Sequence, residues 1–408
     1  MSLDSCVAFA MEHNCGILLQ RNAERISQAG LLESKMELLP TLNLYLNQYY
    51  NWGRSVDMQE LVIVRNRLTR QTSGSIGASF TIFDGLASIN GIFRQRQLAA
   101  AAHSDLQQAM LDVKADIAAT YLSNILARLS LQGLTRSLEN AERQAEIVAV
   151  QADCGARDRS DCLEMAARIA DIRSQIESAR SEDAVTLQQL KSYMGCSESF
   201  RTDTCITGLV LRQQDLSDYE AARPTPPGVL AARSRLKAAE YGVKAAIGAM
   251  MPTLSVSASY GTYYSDASPD LFREQLDGNR NPSVSLSMVV PIFNGGKTSG
   301  AMARARAELQ ENEIRLRQEQ EQADLYLNRI TGECLSLREQ LRCSLAKREL
   351  CRERARQASQ RHEAGTLTTS EWIDASQADS QAECEYLRCL CKYLFQLKLL
   401  EYYGDGCR

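Results

Sequence analysis

Thr41-Leu42-Asn43-Leu44-Tyr45-Leu46-Asn47-Gln48-Tyr49-Tyr50-Asn51-Trp52 alternates along its length. Leu42, Leu44, Leu46, Gln48, Tyr50 and Trp52 fall on one side, and Thr41, Asn43, Tyr45, Asn47, Tyr49 and Asn51 on the other. Period two is the pattern of a strand with one apolar and one polar face. Three further segments read the same way. Ile76, Ala78, Phe80 and Ile82 alternate with Ser75, Gly77, Ser79 and Thr81. Leu254, Val256, Ala258 and Tyr260 alternate with Thr253, Ser255, Ser257 and Ser259. Val284, Leu286, Met288, Val290 and Ile292 alternate with Ser283, Ser285 and Ser287. Strands are expected at about 41–52, 75–83, 253–264 and 283–293.

Segments of about 9–12 residues suit tilted strands that cross a bilayer. Tyr49, Tyr50, Trp52, Tyr260, Tyr263 and Tyr264 gather at one end, and Phe83 and Phe293 at the other. Aromatics at both ends of an apolar band suggest interfacial girdles. A soluble antiparallel sandwich alternates identically, but Ser, Thr, Asn and Gly on the second face suit a water-filled lumen. Four strands cannot close a barrel, for which about eight is the working minimum. An open edge is intolerable in hydrocarbon, so copies of the chain are expected to share strands.

The strand pairs belong to a unit that occurs twice. Pro40-Thr41-Leu42 recurs as Pro252-Thr253-Leu254, Phe83-Asp84-Gly85 as Phe293-Asn294-Gly295, and Gly155 as Gly365. The Tyr-Met-Gly ending at Gly195 matches the Tyr-Tyr-Gly ending at Gly404. A duplication this long, in register, points to one two-repeat architecture. The first repeat is expected over 1–195, a linker over 196–228 and the second repeat over 229–408.

Between the repeated markers lie helices too long for a globule. No proline interrupts 41–223 or 292–408. Leu106, Met110, Val113, Ile117, Tyr121, Ile125 and Leu129 mark a helical stripe within a helix expected over about 87–153. At about 1.5 Å per residue it would span roughly 100 Å. A second long helix is expected over about 299–363, with returning helices over about 160–193 and 370–403. Gly155 and Gly365 fit left-handed helix terminators, and Ser160 with Asp161 and Ser370 with Glu371 fit the next helix starts. The fold class is thus mainly α, built from long helical hairpins, with a small β component.

Composition narrows the function classes. The net charge of −4, with both signs interspersed, leaves no basic field for nucleic acid. No run of about 18 apolar residues marks a transmembrane helix. Met1-Ser2-Leu3 leads straight into a polar helical sequence with no signal peptide; a mature exported chain would lack one too, so this feature leaves the compartment open. Gly295-Gly296-Lys297-Thr298-Ser299 imitates a P-loop, but Pro291 stands where the motif needs glycine. Neither a nucleophile elbow nor a zinc-protease motif occurs, so neither enzyme activity nor a cofactor is expected. His13, His103 and His362 read as surface or wall residues. The 13 cysteines match no zinc spacing. Cys6 with Cys15, Cys154 with Cys162 and Cys196 with Cys205 suit short disulfide loops; the other reading is small buried fillers.

The order of these features resembles the TolC-like outer membrane efflux protein family over essentially the whole chain. Leu3 through Asn14 looks like the family's opening helix, and Leu39-Pro40-Thr41-Leu42 and Met251-Pro252-Thr253-Leu254 look like its strand entries. Pro291-Ile292-Phe293-Asn294-Gly295-Gly296 resembles its strand-to-helix exit. Arg361-His362-Glu363-Ala364-Gly365, followed by Glu371-Trp372-Ile373-Asp374-Ala375, resembles its periplasmic tip. The resemblance implies a homotrimer with a twelve-stranded barrel in outer-membrane lipid and a helical tunnel across the periplasm. It also implies a periplasmic adaptor and an inner-membrane pump as partners, in efflux or type I secretion, in a Gram-negative bacterium.

By motif position, Glu371 and Asp374, with Asp161 in the first repeat, fall where the family lines its closed aperture. Gly155, Arg157, Arg159, Gly365 and Leu367 fall at the adaptor-facing tips. His362 stands where the family usually has Tyr, and Leu367 where an Arg tethers the gate. The rival reading is a soluble or periplasmic coiled-coil adaptor or scaffold, and the rival reading of the acids is helix N-terminal charge complementarity.

Overall fold

The computed structural model describes residues 1–56, 63–196, 200, 202–203, 225–266, 268 and 270–405. In order, the chain forms α1 (Leu3–His13), α2 (Cys15–Met36), β1 (Thr41–Val56), β2 (Ile63–Phe83), α3 (Ala87–Asp153) and α4 (Arg159–Met194). It continues with α5 (Pro227–Gly248), β3 (Thr253–Ser265), α6 (Phe272–Gly278), β4 (Asn281–Val289), α7 (Lys297–Glu363) and α8 (Thr369–Asp405). Both long helices have 67 residues. The chain divides into two compact units, each drawing on both halves of the sequence.

One unit comprises Glu24–Ala102 and Ala231–Arg317. It holds a single antiparallel sheet in the order β1-β2-β3-β4. The register carries each alternation across all four strands. Leu44 faces Ile76, which faces Tyr260, and Leu42 faces Ala78, Ala258 and Val284 in turn. Residues directly opposite share a face, so these side chains make one apolar surface. That surface is bare in the single chain: Leu42 is 73% exposed, Leu46 73% and Val284 78%. On the opposite face Thr41, Ser79, Ser257 and Ser285 form one row, and Asn43, Gly77, Ser259 and Ser283 the next. Hydroxyl pairs join Thr41 to Ser79, Ser257 to Ser285 and Ser259 to Ser283, each at 2.7 Å.

Strand ends depart from the alternation. The β1–β2 ladder continues through Gly53–Arg67 to Val56–Ile63, so residues 53–56 and 63–74, which fall between the expected strands, are strand. Hairpin backbone pairing carries the strand onward without an apolar face to mark it. A register shift between Thr81 and Phe83 places Phe83 opposite Leu254 and hence on the apolar face, where uninterrupted alternation would put it on the polar one. β4 ends at Val289 rather than near 293, ahead of Pro291, which has no N–H to pair. Tyr50 pairs with Arg70 and Tyr264 with Thr72, toward one end of the sheet, whereas Tyr260, expected with them, faces Ile76 and lies mid-strand. Trp52 stacks on Tyr50 with ring centroids 6.3 Å apart. Phe83 lies at the other end, and Phe293, 87% exposed, follows β4.

The duplicated strand-to-helix exits share a cap. Ser88 N donates to Asp84 Oδ2 at 2.8 Å, and Thr298 N to Asn294 Oδ1 at 3.5 Å. The P-loop imitation is this turn. Gly85 and Gly295 both adopt left-handed backbone, with φ of 69° and 66°. Only Gly85 is also crowded. A methyl there would collide with the Gly248 carbonyl oxygen and lie 2.7 Å from Met251 Cβ, whereas Gly295 has open space.

The other unit comprises Met1–Ala23, His103–Leu230 and Gln318–Arg408. Leu3, Cys6 and Ala10 of α1 pack on Ile117, Tyr121 and Ile125 of α3 and on Leu190 and Met194 of α4. Asn14 joins α1 to α2: its Oδ1 accepts from Ile17 N at 3.1 Å, and its Nδ2 donates to Tyr193 O at 2.6 Å. The fully buried Asn124 binds Asp183 Oδ1 at 2.7 Å and accepts from Thr202 at 2.7 Å, which pins the described start of the inter-repeat segment. Cys6 is buried and Cys15 exposed, both as free thiols, and Cys154 and Cys162 are likewise unbridged. Cys205 lies outside the described residues. Cys334 and Cys391 fit the filler reading; burial pushes the Cys391 thiol up to about 11.

Substitution separates the two glycine requirements. Gly295→Ala is expected to cost about 1–2 kcal/mol, the left-handed penalty alone. Gly85→Ala should cost at least twice as much, because backbone atoms cannot step aside. Thermal unfolding of the two variants checks the difference.

Candidate functional site

The two turns between long and returning helices are built alike. At the first, Ala156 N donates to Gln151 O at 2.8 Å and Gly155 N to Ala152 O at 3.0 Å. At the second, Thr366 N donates to Arg361 O at 2.9 Å and Gly365 N to His362 O at 3.0 Å. This paired closure needs a left-handed residue, and Gly155 and Gly365 have φ of 76° and 73°. The next helices start slightly earlier than expected. Asp158 caps α4 by accepting from Arg159 N, and Thr368 Oγ1 caps α8 by accepting from Glu371 N at 3.3 Å.

Beyond the glycines the copies part company. Arg157 and Leu367 occupy equivalent positions, 210 residues apart. Leu367 packs on a buried cluster that includes Val148, Met165, Ile172, Ala358, Trp372 and Ala375. Arg157 crosses to the other turn. Its guanidinium donates to Thr369 Oγ1 at 2.6 Å, His362 O at 3.1 Å and Leu367 O at 3.2 Å, and to Gln151 Oε1 at 2.8 Å within its own hairpin. Arg157, which the family resemblance places at an adaptor-facing tip, thus ties the two hairpins of one chain together. Hydrogen bonds from a charged donor contribute about 1.5–3 kcal/mol each.

His362, expected at a surface or wall, is fully buried beneath this link. Its ring contacts Gln144 Oε1 at 3.2 Å and Thr369 Oγ1 at 3.4 Å, and stacks on Trp372 at 5.6 Å. Trp372 Nε1 donates to Ser359 Oγ at 3.0 Å. Burial, and then the nearby Arg157 charge, hold the imidazole below its usual range, against the opposite pull of Asp161 and Glu363. The one local sign of burial in the sequence was an apolar aromatic, Trp372, close to His362 across a glycine turn.

The acidic residues sit around this core. Asp161 is half-buried, and Glu371, Asp374 and Arg159 are exposed. Glu371 Oε2 accepts from Thr368 Oγ1 at 2.8 Å and from Thr368 N at 3.2 Å, so Thr368 and Glu371 form a reciprocal capping box. Those bonds hold the Glu371 carboxyl below its ordinary value. Among the described residues no group of three or more His, Cys, Asp or Glu side chains is placed to hold a metal ion, and no helix is long and apolar enough to cross a membrane.

Residues 22–196 and 219–396 match the family profile described as outer membrane efflux protein. The chain belongs to that family. The two matched segments contain both glycine turns and all four strands. Outer membrane efflux protein BepC of Brucella suis biovar 1 is 24% identical over 231 residues, 56% of this chain and 49% of that protein. The chain therefore aligns with about half the length of this curated relative. The fold is that of CusC (TM-score 0.84, 18% identity, 98% of this chain and 91% of the other). It is also that of the Campylobacter jejuni CmeC outer membrane channel (TM-score 0.84, 16% identity, 99% and 85%).

The capping box makes a pH-linked prediction. A carboxyl held below its ordinary value stabilises the second turn above the usual carboxylate range and loses that contribution as pH falls through the depressed value. Thr368→Ala should cost about 1 kcal/mol at neutral pH and return Glu371 toward ordinary titration, as carboxyl NMR would record.

Proposed function

We propose that this efflux-family chain is the channel-tunnel of a tripartite efflux or type I secretion system. It is a passive duct for small molecules or polypeptides across the periplasm and outer membrane of a Gram-negative bacterium. The observation that carries the reading is the sheet. One face is apolar and exposed, the other is a field of hydroxyls, and β1 and β4 each pair on one side only among the described residues. An unpaired backbone group in hydrocarbon costs several kcal/mol, so in lipid the edges of one copy must meet those of others. Three copies give twelve strands, with the hydroxyl rows inward and Leu42, Leu44, Leu286 and Met288 toward lipid. A soluble scaffold would leave these side chains in water, each forfeiting roughly 1.5–3 kcal/mol of burial.

In this reading each repeat, 1–195 and 229–408, supplies two strands, a tunnel helix and a returning helix around the segment 196–228. Tyr50, Trp52 and Tyr264 mark one membrane interface, and Phe83 and Phe293 the other. The turns at Gly155 and Gly365, with Arg157, Arg159 and Leu367, face a periplasmic adaptor linked to an inner-membrane pump. Asp161, Glu371 and Asp374 line the closed aperture, where three-fold symmetry makes carboxylate rings that concentrate cations.

The purified protein should require detergent, have the mass of three copies by light scattering, and form conducting pores in planar bilayers. A monodisperse species in plain buffer with no conductance would overturn the duct. Replacing Glu371 with Gln and Asp374 with Asn together should weaken cation preference, read as a reversal-potential shift in a salt gradient; an unchanged potential removes these residues from the aperture.

A further inference from the structure

We propose that the link between the two turns is a proton-operated clasp, in which protonation of His362 releases Arg157 from the second turn and lets the hairpins part. The hydrogen-bond network assigns the neutral tautomer. Gln144 Nε2 donates to Glu363 Oε1 at 3.1 Å, which turns Gln144 Oε1 toward His362 Nδ1 at 3.2 Å. Nδ1 therefore carries the proton. Thr369 Oγ1 accepts from Arg157 at 2.6 Å, and its own hydrogen points to His362 Nε2 at 3.4 Å. Neutral imidazole satisfies both neighbours.

A proton on Nε2 would force the Thr369 hydroxyl hydrogen to turn away and place a second positive charge beside the Arg157 guanidinium. Thr369 and His362 are both fully buried, so water is poorly placed to screen that charge. The charged groups facing the ring are Arg157 from the first turn, Asp161 from α4 and Glu363 from α7. α3 offers the neutral Gln144, and α8 offers Thr369 and Trp372. The two carboxylates favour the imidazolium, but burial and Arg157 outweigh them. In the parted form the ring is solvated and titrates near its ordinary value of about 6.5. The parted form therefore takes up the proton more readily. The closed form's advantage is present at neutral pH and is lost as pH falls through 6.5 toward the depressed value. The clasp is a property of one chain; that its release widens a conduit rests on the duct reading.

Trp372 reports the change directly. It stacks on His362, and Trp52 is the other of the two tryptophans. In a Trp52→Phe background in detergent, lowering pH from 8 to 5 should reversibly quench and red-shift Trp372, with a midpoint below that of free imidazole. Arg157→Gln should raise the midpoint, because it removes a positive neighbour. His362→Gln, which keeps hydrogen-bonding atoms without the titration, should abolish the transition. Amide exchange protection over 362–369 should fall about tenfold across the same range. The clasp is overturned if the parent protein shows no transition, if Arg157→Gln leaves the midpoint in place, or if His362→Gln retains the transition. If the fluorescence behaves as expected while trimer conductance is equal at both ends of the range, the clasp stands and the turns cease to be the gate.

Discussion

A strand that pairs on one side leaves a row of N–H and C=O groups reaching for partners, and among the described residues the four-stranded sheet has two such rows, on β1 and β4. Water can satisfy them, but then water must also face the apolar side chains of the same sheet. Lipid can cover those side chains, but then the backbone rows need other strands. No single copy meets both demands. The proposed trimer answers with strand pairing alone, and the hydroxyl rows of the second face then line an aqueous interior. Short caps fix where that sheet ends: Asp84 and Asn294 close the first turns of α3 and α7, and the crowding of Gly85 against Gly248 leaves no room for a side chain.

At the turns the same backbone is used twice with different chemistry. Both close through a left-handed glycine with matching hydrogen bonds, so the duplication is intact at the level of the main chain. The next position but one has diverged into an apolar plug, Leu367, and a charged strap, Arg157. Each suits its neighbours: Leu367 completes a cluster around Trp372, and Arg157 binds two carbonyls and a hydroxyl of the second turn. A buried neutral histidine under a guanidinium is tolerated only while both stay within this network.

Much of this was legible in local patterns. Alternation located the strands because one-sided burial repeats every two residues, and Gly155 and Gly365 located the turns because left-handed backbone selects glycine. What escaped depended on partners distant in sequence. The stretch 63–74 has no clean alternation and is strand through pairing with β1. Phe83 changes face through a register shift opposite β3. Glu371 was noted for its charge, although Thr368 three residues before it already carried the capping-box spacing. The burial of His362 had only Trp372 as a local sign, because Gln144 and Arg157 reach it from more than 200 residues away.

By itself the sequence determined the periods: two for the strands, between three and four for the helices, and about 210 for the repeat. These follow from backbone geometry and from which side chains water rejects, both local properties. Only the tertiary structure decided which strand edges lack partners, which acids are tied up as caps, and that Arg157 closes on His362, Leu367 and Thr369 within its own chain. Those outcomes depend on hydrogen bonds between groups far apart in sequence. Their strength comes from the burial that folding creates, and no local pattern records it.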